Sequence, residues 1–309
     1  MSAKVLITER LLASCEQAII EKLNGVRLYE QQDPETFLKE HGGEFPAIAG
    51  FAVSKELIEA LPNLRLIANF GVGYDGVDIR AAKDRSIAVT NTPDVLSEAM
   101  AEITLGLMVS LARRLPQADR YVREGRWPEG PFPLQNQLTG KTVGIVGLGR
   151  IGKQIAELCQ AFKMRVVYFG RNKQADIPYV YYDNLVDMAG DADWLVVVTP
   201  GGAATKNLVS KEVLQALGPK AYLVNVARGS VVEEKALIDL LQNGGLAGAA
   251  LDVFANEPDV PQELLTLENV VLSPHQGSAT HQTRFAMGAL VVANLEAFFA
   301  GEPLLTQVV

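Results

Sequence analysis

Cysteine is nearly absent from this chain: Cys15 and Cys159 are the only two in 309 residues. They lie far apart, each within a helix-like segment, a spacing that suits neither a disulfide framework nor a metal site. A reduced, cytoplasmic setting is the expectation. Positive charge is also in deficit, with 28 Lys and Arg against 36 Asp and Glu and a formal charge of −8. Neutralising phosphate backbones needs a basic surface, so nucleic acid is not an expected partner. No apolar run is expected to be long enough to span a membrane. The opening MSAKVLITER carries Lys4, Glu9 and Arg10 and moves straight into a strand, unlike a secretory leader. There is no internal repeat, no low-complexity segment, no G-x-S-x-G elbow and no His, Cys and Asp cluster at metal spacing. At this length about two domains are expected, filled by the 48% of residues that are hydrophobic, with small molecules as ligands.

What is present is alternation. Strand-like runs KVLITE (4–9), VRLYEQ (26–31), AIAGFA (47–52), LRLIANF (64–70) and IAVTNT (87–92) are interleaved with helical patterns near 11–23 and 54–61. Repetition of strand, helix and strand predicts a parallel sheet. A helix is expected from Ser97 to Arg113, with Ser97 as its cap. Residues 115–140, which include Trp127, Pro128, Pro131 and Pro133, read as an extended arm. A second alternation places six strands near 142–146, 165–169, 193–199, 221–226, 247–253 and 269–273, and a last helix at about 280–300 could return to the first domain. The expected organisation is therefore 1–96 with 283–309 as one domain and 97–282 as the other, both α/β and doubly wound.

Residues 141–163 place GLGRIG between a strand and a helix. Gly147 permits the tight turn, Gly149 lets the backbone approach a pyrophosphate, and Gly152 lets the helix pack closely on the strand, while the helix N-terminus offers free N–H groups to phosphate. The next strand ends at Gly170, where an NAD-selecting domain places a carboxylate, and continues with Arg171, Asn172 and Lys173. Without the carboxylate a 2′-phosphate is not repelled, and a guanidinium can bind it, so NADPH is expected over NADH. The stretch TGKT (139–142) is a decoy, because residue 135 is Gln where a phosphate-binding loop requires glycine.

Three further strand-like runs end at residues able to do chemistry: AYLVNV at Arg228, GAALDV at Glu257 and NVVLS at His275. In an open parallel sheet, ligands bind where strands end. Arginine can grip a carboxylate bidentately and polarise a keto group. An imidazole suits proton transfer near neutral pH, and a carboxylate partner would orient it and favour its charged form. Of the other histidines, His41 reads as an exposed loop residue and His281 as a surface residue on the last helix. Thr199, Pro200 and Asp252 stand at strand ends where the nicotinamide end of a cofactor could touch them. GVGYDGVD (71–78) offers backbone N–H groups at Val72 and Gly73 to a small carboxylate.

These motifs in this order, together with VTNTPDVLSEAMAEITLGLM (89–108), LDVFANEP and SPHQGSAT, resemble the D-2-hydroxyacid dehydrogenases over nearly the full length, and within them the glyoxylate/hydroxypyruvate and hydroxyphenylpyruvate reductases. The resemblance implies a flavodoxin-like substrate domain and a Rossmann dinucleotide-binding domain with a cleft between them. It implies that Arg228, Glu257 and His275 are catalytic, with His275 as proton donor. Cofactor contacts are expected at Gly147, Gly149, Arg150, Ile151, Gly152, Arg171, Asn172, Thr199, Pro200, Ala227, Asp252 and Gly277. Substrate contacts are expected at Phe51, in the short loop 50–52, and at Val72, Gly73, Arg228 and His275. A homodimer is implied too, with Trp127 as the residue that would reach the partner's pocket. The leading reading is NADPH-dependent reduction of a small 2-keto acid. The alternatives are a reductase of bulkier aromatic 2-keto acids and a dinucleotide-sensing, corepressor-like binding protein.

Overall fold

A computed structural model of the chain describes residues 4–309, which divide into two compact units. One runs to Leu96 and resumes over Ser278–Val309; the other is Ser97–Gly277. The second crossing thus comes earlier than the 282–283 boundary expected from the sequence.

The first unit carries five strands, β1 (Val5–Ile7), β2 (Val26–Arg27), β3 (Ala47–Gly50), β4 (Leu66–Asn69) and β5 (Ala88–Thr90). All pair in parallel in the order β2-β1-β3-β4-β5. Helices cover such a sheet on both faces, so its strands are apolar without alternation. Every residue of β1, β3 and β4 is buried. The run 26–31 is strand only at Val26–Arg27, on the sheet edge, before a tight turn at Leu28–Glu30. A helix at Pro34–His41, capped by Asp33, replaces the loop expected around His41, whose Nδ1 lies 2.8 Å from Glu44.

The helix His281–Ala300 corrects the expectation about membranes. It is long and apolar enough, by length and composition, to cross one. Here it serves as a core helix of the first unit, packed on β4 and on the helix Ala13–Leu23. Its buried face includes Met287, Val291, Val292 and Leu295, and Gly288 comes close enough for the Cys15 thiol to donate to its carbonyl.

The second unit holds β6 (Thr142–Val146), β7 (Arg165–Phe169), β8 (Val180–Tyr182), β9 (Trp194–Val197), β10 (Tyr222–Asn225), β11 (Gly248–Leu251) and β12 (Val270–Leu272). The order β12-β11-β10-β9-β6-β7-β8 is parallel throughout. The chain starts in the middle, winds out to β8, and returns to β9 on the other side of β6. That reversal leaves a crevice at the strand ends between β6 and β9. There are seven strands, not the expected six, because β8 is a three-residue edge strand with partly exposed side chains. The segment 115–140 is not wholly extended either. Arg114 adopts a left-handed conformation that ends the helix Ser97–Arg113, and a second helix follows at Leu115–Arg123. Pro116 lies in its first turn, where a missing N–H costs nothing.

Candidate active site

At the head of the second sheet, β6 turns through Gly147 into the helix Arg150–Ala161. Gly147 has φ of +104°, and a Cβ there would lie 3.0 Å from the backbone of Thr199, at the end of β9. A Cβ on Gly152 would meet the Gly147 carbonyl oxygen at 2.2 Å. Strand and helix therefore approach as closely as glycine allows, and Thr199 and Pro200 are brought to the same edge. At Gly149 a Cβ would meet nothing within 4 Å, and no side chain caps the helix that begins there. The first-turn N–H groups around Arg150, Ile151 and Gly152 thus face an open approach, which is what a pyrophosphate requires.

The end of β7 follows the same edge. Arg171 and Asn172 are exposed, as is Lys173. The loop is tied to the glycine turn by Gln174, whose Nε2 donates to the Leu148 carbonyl at 2.6 Å.

Strands β10, β11 and β12 are neighbours, so the residues following them are neighbours too. His275 Nδ1 lies 2.5 Å from Glu257 Oε2, and Glu257 Oε1 accepts the Phe254 N–H at 3.0 Å. The second bond fixes the carboxylate while the first fixes the ring, leaving Nε2 as the nitrogen available to a ligand. His275 is 47% exposed and Glu257 32%. Arg228 follows β10 in a turn organised by buried Asn225, whose Oδ1 accepts from the Ala227 N–H at 3.1 Å and whose Nδ2 donates to the Arg228 carbonyl at 3.0 Å. Ala227 itself is buried, and its carbonyl accepts from the Arg228 guanidinium at 2.8 Å. Gly229 then packs directly on the backbone of Phe254 and Ala255, joining the arginine turn to the loop that carries Glu257.

Asp252, a candidate cofactor contact, directly follows β11. It is 1% exposed, and its carboxylate is engaged inside the protein. It accepts from Ser273 Oγ at 2.6 Å and from the N–H groups of Gln276 and Gly277 at 2.9 Å each. Its carbonyl accepts from the His275 N–H at 2.9 Å. Four bonds from one residue thus hold His275 in a left-handed conformation with φ of +48°, which a non-glycine residue adopts only when its surroundings impose it.

In the first unit, β4 runs into the loop 70–78. The carbonyls of Gly71 and Gly73 accept from Asn69 Nδ2 at 2.9 and 3.0 Å, and that of Val72 accepts from Asn91 Nδ2 at 3.0 Å. With these carbonyls drawn inward, the N–H groups of Val72 and Gly73 donate to no acceptor among the described residues. Phe51 is 48% exposed, and Trp127, in the other unit, is 67% exposed in a short turn at Trp127–Glu129.

Sequence reasoning missed Asn225, Ser273 and Asn91, buried polar residues whose partners are set by tertiary structure, and it missed Arg284. That arginine lies near the start of the last helix with its guanidinium 5.9 Å from the Phe70 ring centre, and burial lowers its pKa. The two cysteines are poor candidates for chemistry. Burial pushes both thiols up to about 12, with Glu16 adding to the effect at Cys15.

The family described as D-isomer specific 2-hydroxyacid dehydrogenase, NAD binding domain, matches residues 105–277. The chain is 46% identical over 297 residues, 95% of each protein, to a glyoxylate/hydroxypyruvate reductase of Arabidopsis thaliana. It is 44% identical, over the same shares, to a hydroxyphenylpyruvate reductase of Plectranthus scutellarioides. Among solved structures it is similar to an NADPH-dependent glyoxylate/hydroxypyruvate reductase of Sinorhizobium meliloti in complex with NADP and malonate. That likeness has a TM-score of 0.93 at 44% identity, covering 100% of this chain and 97% of the other.

Proposed function

The chain belongs to the D-isomer specific 2-hydroxyacid dehydrogenases, and from that premise we propose that it reduces a small 2-keto acid of the glyoxylate or hydroxypyruvate kind, with NADPH preferred over NADH. The product is the D-2-hydroxy acid wherever it is chiral. The observation that carries the reading is the 2.5 Å pair of His275 Nδ1 with Glu257 on the strand end next to Arg228.

The open, uncapped helix start at Gly149 fits a dinucleotide pyrophosphate. The nicotinamide cofactor supplies the hydride when bound. Arg171 and Asn172, with no carboxylate at Gly170, would hold its 2′-phosphate. The N–H groups of Val72 and Gly73 receive the substrate carboxylate. In the second unit, Arg228 polarises the keto oxygen, stabilising the negative charge that builds there. His275 gives the proton from Nε2 to that oxygen, which becomes the hydroxyl of the product. Glu257 accepts the Nδ1–H bond and holds the ring in place. Solvent then reprotonates the exposed imidazole.

Two supporting expectations accompany this reading. Exposed apolar side chains at Leu115, Val122, Trp127 and Leu134 lie along one segment and favour burial in a homodimer. Two buried, free thiols suit a reducing compartment such as the cytoplasm. A second reading, reduction of aromatic 2-keto acids, draws on the hydroxyphenylpyruvate reductase relative and on exposed Phe51, which could face a ring.

The test is oxidation of NADPH and NADH in the presence of glyoxylate, hydroxypyruvate, pyruvate or hydroxyphenylpyruvate. Turnover of the small acids with NADPH is expected. Faster turnover of hydroxyphenylpyruvate would move the assignment to the aromatic acids. No turnover of any would leave a dinucleotide-binding protein without this activity.

A further inference from the structure

Two loops at the carboxyl edge of the first sheet each present a pair of adjacent backbone N–H groups, and the protein treats them in opposite ways. The pair at Val72 and Gly73, beyond β4, donates to no described acceptor. The pair at Phe51 and Ala52, beyond β3, is filled by the carboxylate of Glu9, which follows β1. Glu9 Oε1 accepts from the Phe51 N–H and, at 2.9 Å, from the Ala52 N–H, while Oε2 accepts from the Thr8 hydroxyl. The loops lie side by side, because the Val53 N–H donates to the Gly76 carbonyl at 3.0 Å and the Asp78 N–H to the Val53 carbonyl at 2.9 Å.

A pair of converging N–H groups is an anion receptor. Here one receptor is open and its neighbour holds an internal anion on a partly exposed side chain. The neighbouring cation Arg10 is turned away, with its guanidinium 5.8 Å from the Tyr29 ring centre.

We propose that Glu9 is a specificity-determining residue: its carboxylate lets only the 72–73 loop receive a carboxylate, and makes the 50–52 loop reject substrates whose far end carries a second negative charge. The preferred substrates are then 2-keto acids with neutral or hydroxylated side chains, and dicarboxylic 2-keto acids are discriminated against. The assignment rests on the reductase reading above. For a second charge brought within about 7 Å of Glu9, at an effective dielectric between protein and water, repulsion corresponds to roughly tenfold in kcat/KM.

Glu9→Gln tests this. The amide keeps an oxygen for the Phe51 and Ala52 N–H groups and turns its NH2 toward the Thr8 oxygen, so the loop is retained while the charge is removed. With NADPH, the variant is expected to raise kcat/KM for oxaloacetate about tenfold relative to hydroxypyruvate and to leave glyoxylate, which has no side chain, within about twofold. In the unmodified enzyme, raising the salt concentration should narrow the same discrimination, which provides a reading that does not depend on the variant folding. An unchanged ratio of oxaloacetate to hydroxypyruvate in a folded variant overturns the proposal, as does a salt-independent ratio in the wild type. Absence of glyoxylate and hydroxypyruvate turnover in the wild type is a different failure, since it removes the reductase reading and the selectivity with it.

Discussion

Gly229→Ala is the substitution whose consequence the structure specifies most closely. A Cβ at this position would lie 1.9 Å from the Phe254 carbonyl carbon, 2.0 Å from its oxygen and 2.4 Å from the Ala255 nitrogen. All three are backbone atoms, so no side chain can swing aside. Ordinary contact begins near 3.4 Å, so the two segments must part by about 1.5 Å. The loop that must move carries Glu257, anchored through the Phe254 N–H, and Glu257 lies 2.5 Å from His275 Nδ1. A shift of that size stretches the pair beyond hydrogen-bonding range and moves the arginine turn away from the carboxylate loop. Overpacking of this kind costs about 1–3 kcal/mol of stability, and misplacing catalytic groups by about 1 Å costs on the order of a hundredfold in rate. The expected outcome is a folded variant with a lowered urea midpoint and kcat down roughly a hundredfold. Its NADPH affinity, measured by fluorescence titration, should be nearly unchanged, because the glycine turn at 147–152 is untouched. Wild-type kcat at wild-type stability would refute the reasoning.

Three other outcomes are expected. Ser273→Ala removes one of three donors to the buried Asp252 carboxylate, which should cost about 2 kcal/mol in denaturant unfolding. It should also lower kcat more than it changes KM, with Ser273→Thr restoring both; equal kcat in the Ala variant would show that the clamp does not position His275. Gly170→Asp places a carboxylate where a Cβ meets nothing within 4 Å, so it should fold normally and shift the ratio of NADPH to NADH kcat/KM toward NADH by at least about tenfold. Glu16 offers a pH effect. Burial pushes its carboxyl up, but the Leu11 N–H, the Tyr29 hydroxyl and the Arg27 guanidinium outweigh burial and hold the carboxyl below its ordinary value. Its contribution is therefore present above the unfolded carboxyl pKa and lost as pH falls through the lower folded one. The stability difference between wild type and Glu16→Gln should be full at about pH 7 and shrink by about pH 3, and a constant difference across that range would contradict the coupling.

Both parallel sheets were legible because strands buried on two faces are written as unbroken apolar runs such as Val5–Ile7 and Trp194–Val197. β8 escaped because an edge strand of three residues has no such run. The helix Leu115–Arg123 escaped because Pro128, Pro131 and Pro133 dominate the segment that follows it, while Pro116 lies in its first turn, where proline is harmless. The span of the last helix was legible, but not its eligibility as a membrane span: apolar residues dominate a 20-residue helix here because it packs against neighbours within its own unit. Arg228, Glu257 and His275 stood out because each follows such a run, and the structure places them on adjacent strand ends. Of the residues that hold them, Asn225 and Ser273 were silent, and Asp252 was legible as a strand-end carboxylate but not as a clamp on the His275 loop. Asn225, Asp252 and Ser273 act through partners as much as 25 positions away, as in the bond from the Gly277 N–H to Asp252, and only tertiary structure makes them neighbours. Glu9 read as a charge near the N-terminus, whereas its carboxylate occupies a loop more than 40 residues later in the chain.

The return of the last helix to the first unit sets an order of events during synthesis. The unit Ser97–Gly277 is continuous, so all of its strands exist once residue 277 has left the ribosome. The unit that begins earlier must wait. Its β4 and its helix Ala13–Leu23 lack their packing partner until His281–Ala300 has been made, and Val89 and Asn91 find their backbone partners at Val308, Val309 and Thr306, in the final residues. A nascent chain halted near residue 280 should therefore hold a finished nucleotide-binding half beside an N-terminal sheet whose apolar face is still uncovered, the stage at which this protein most needs protection from aggregation.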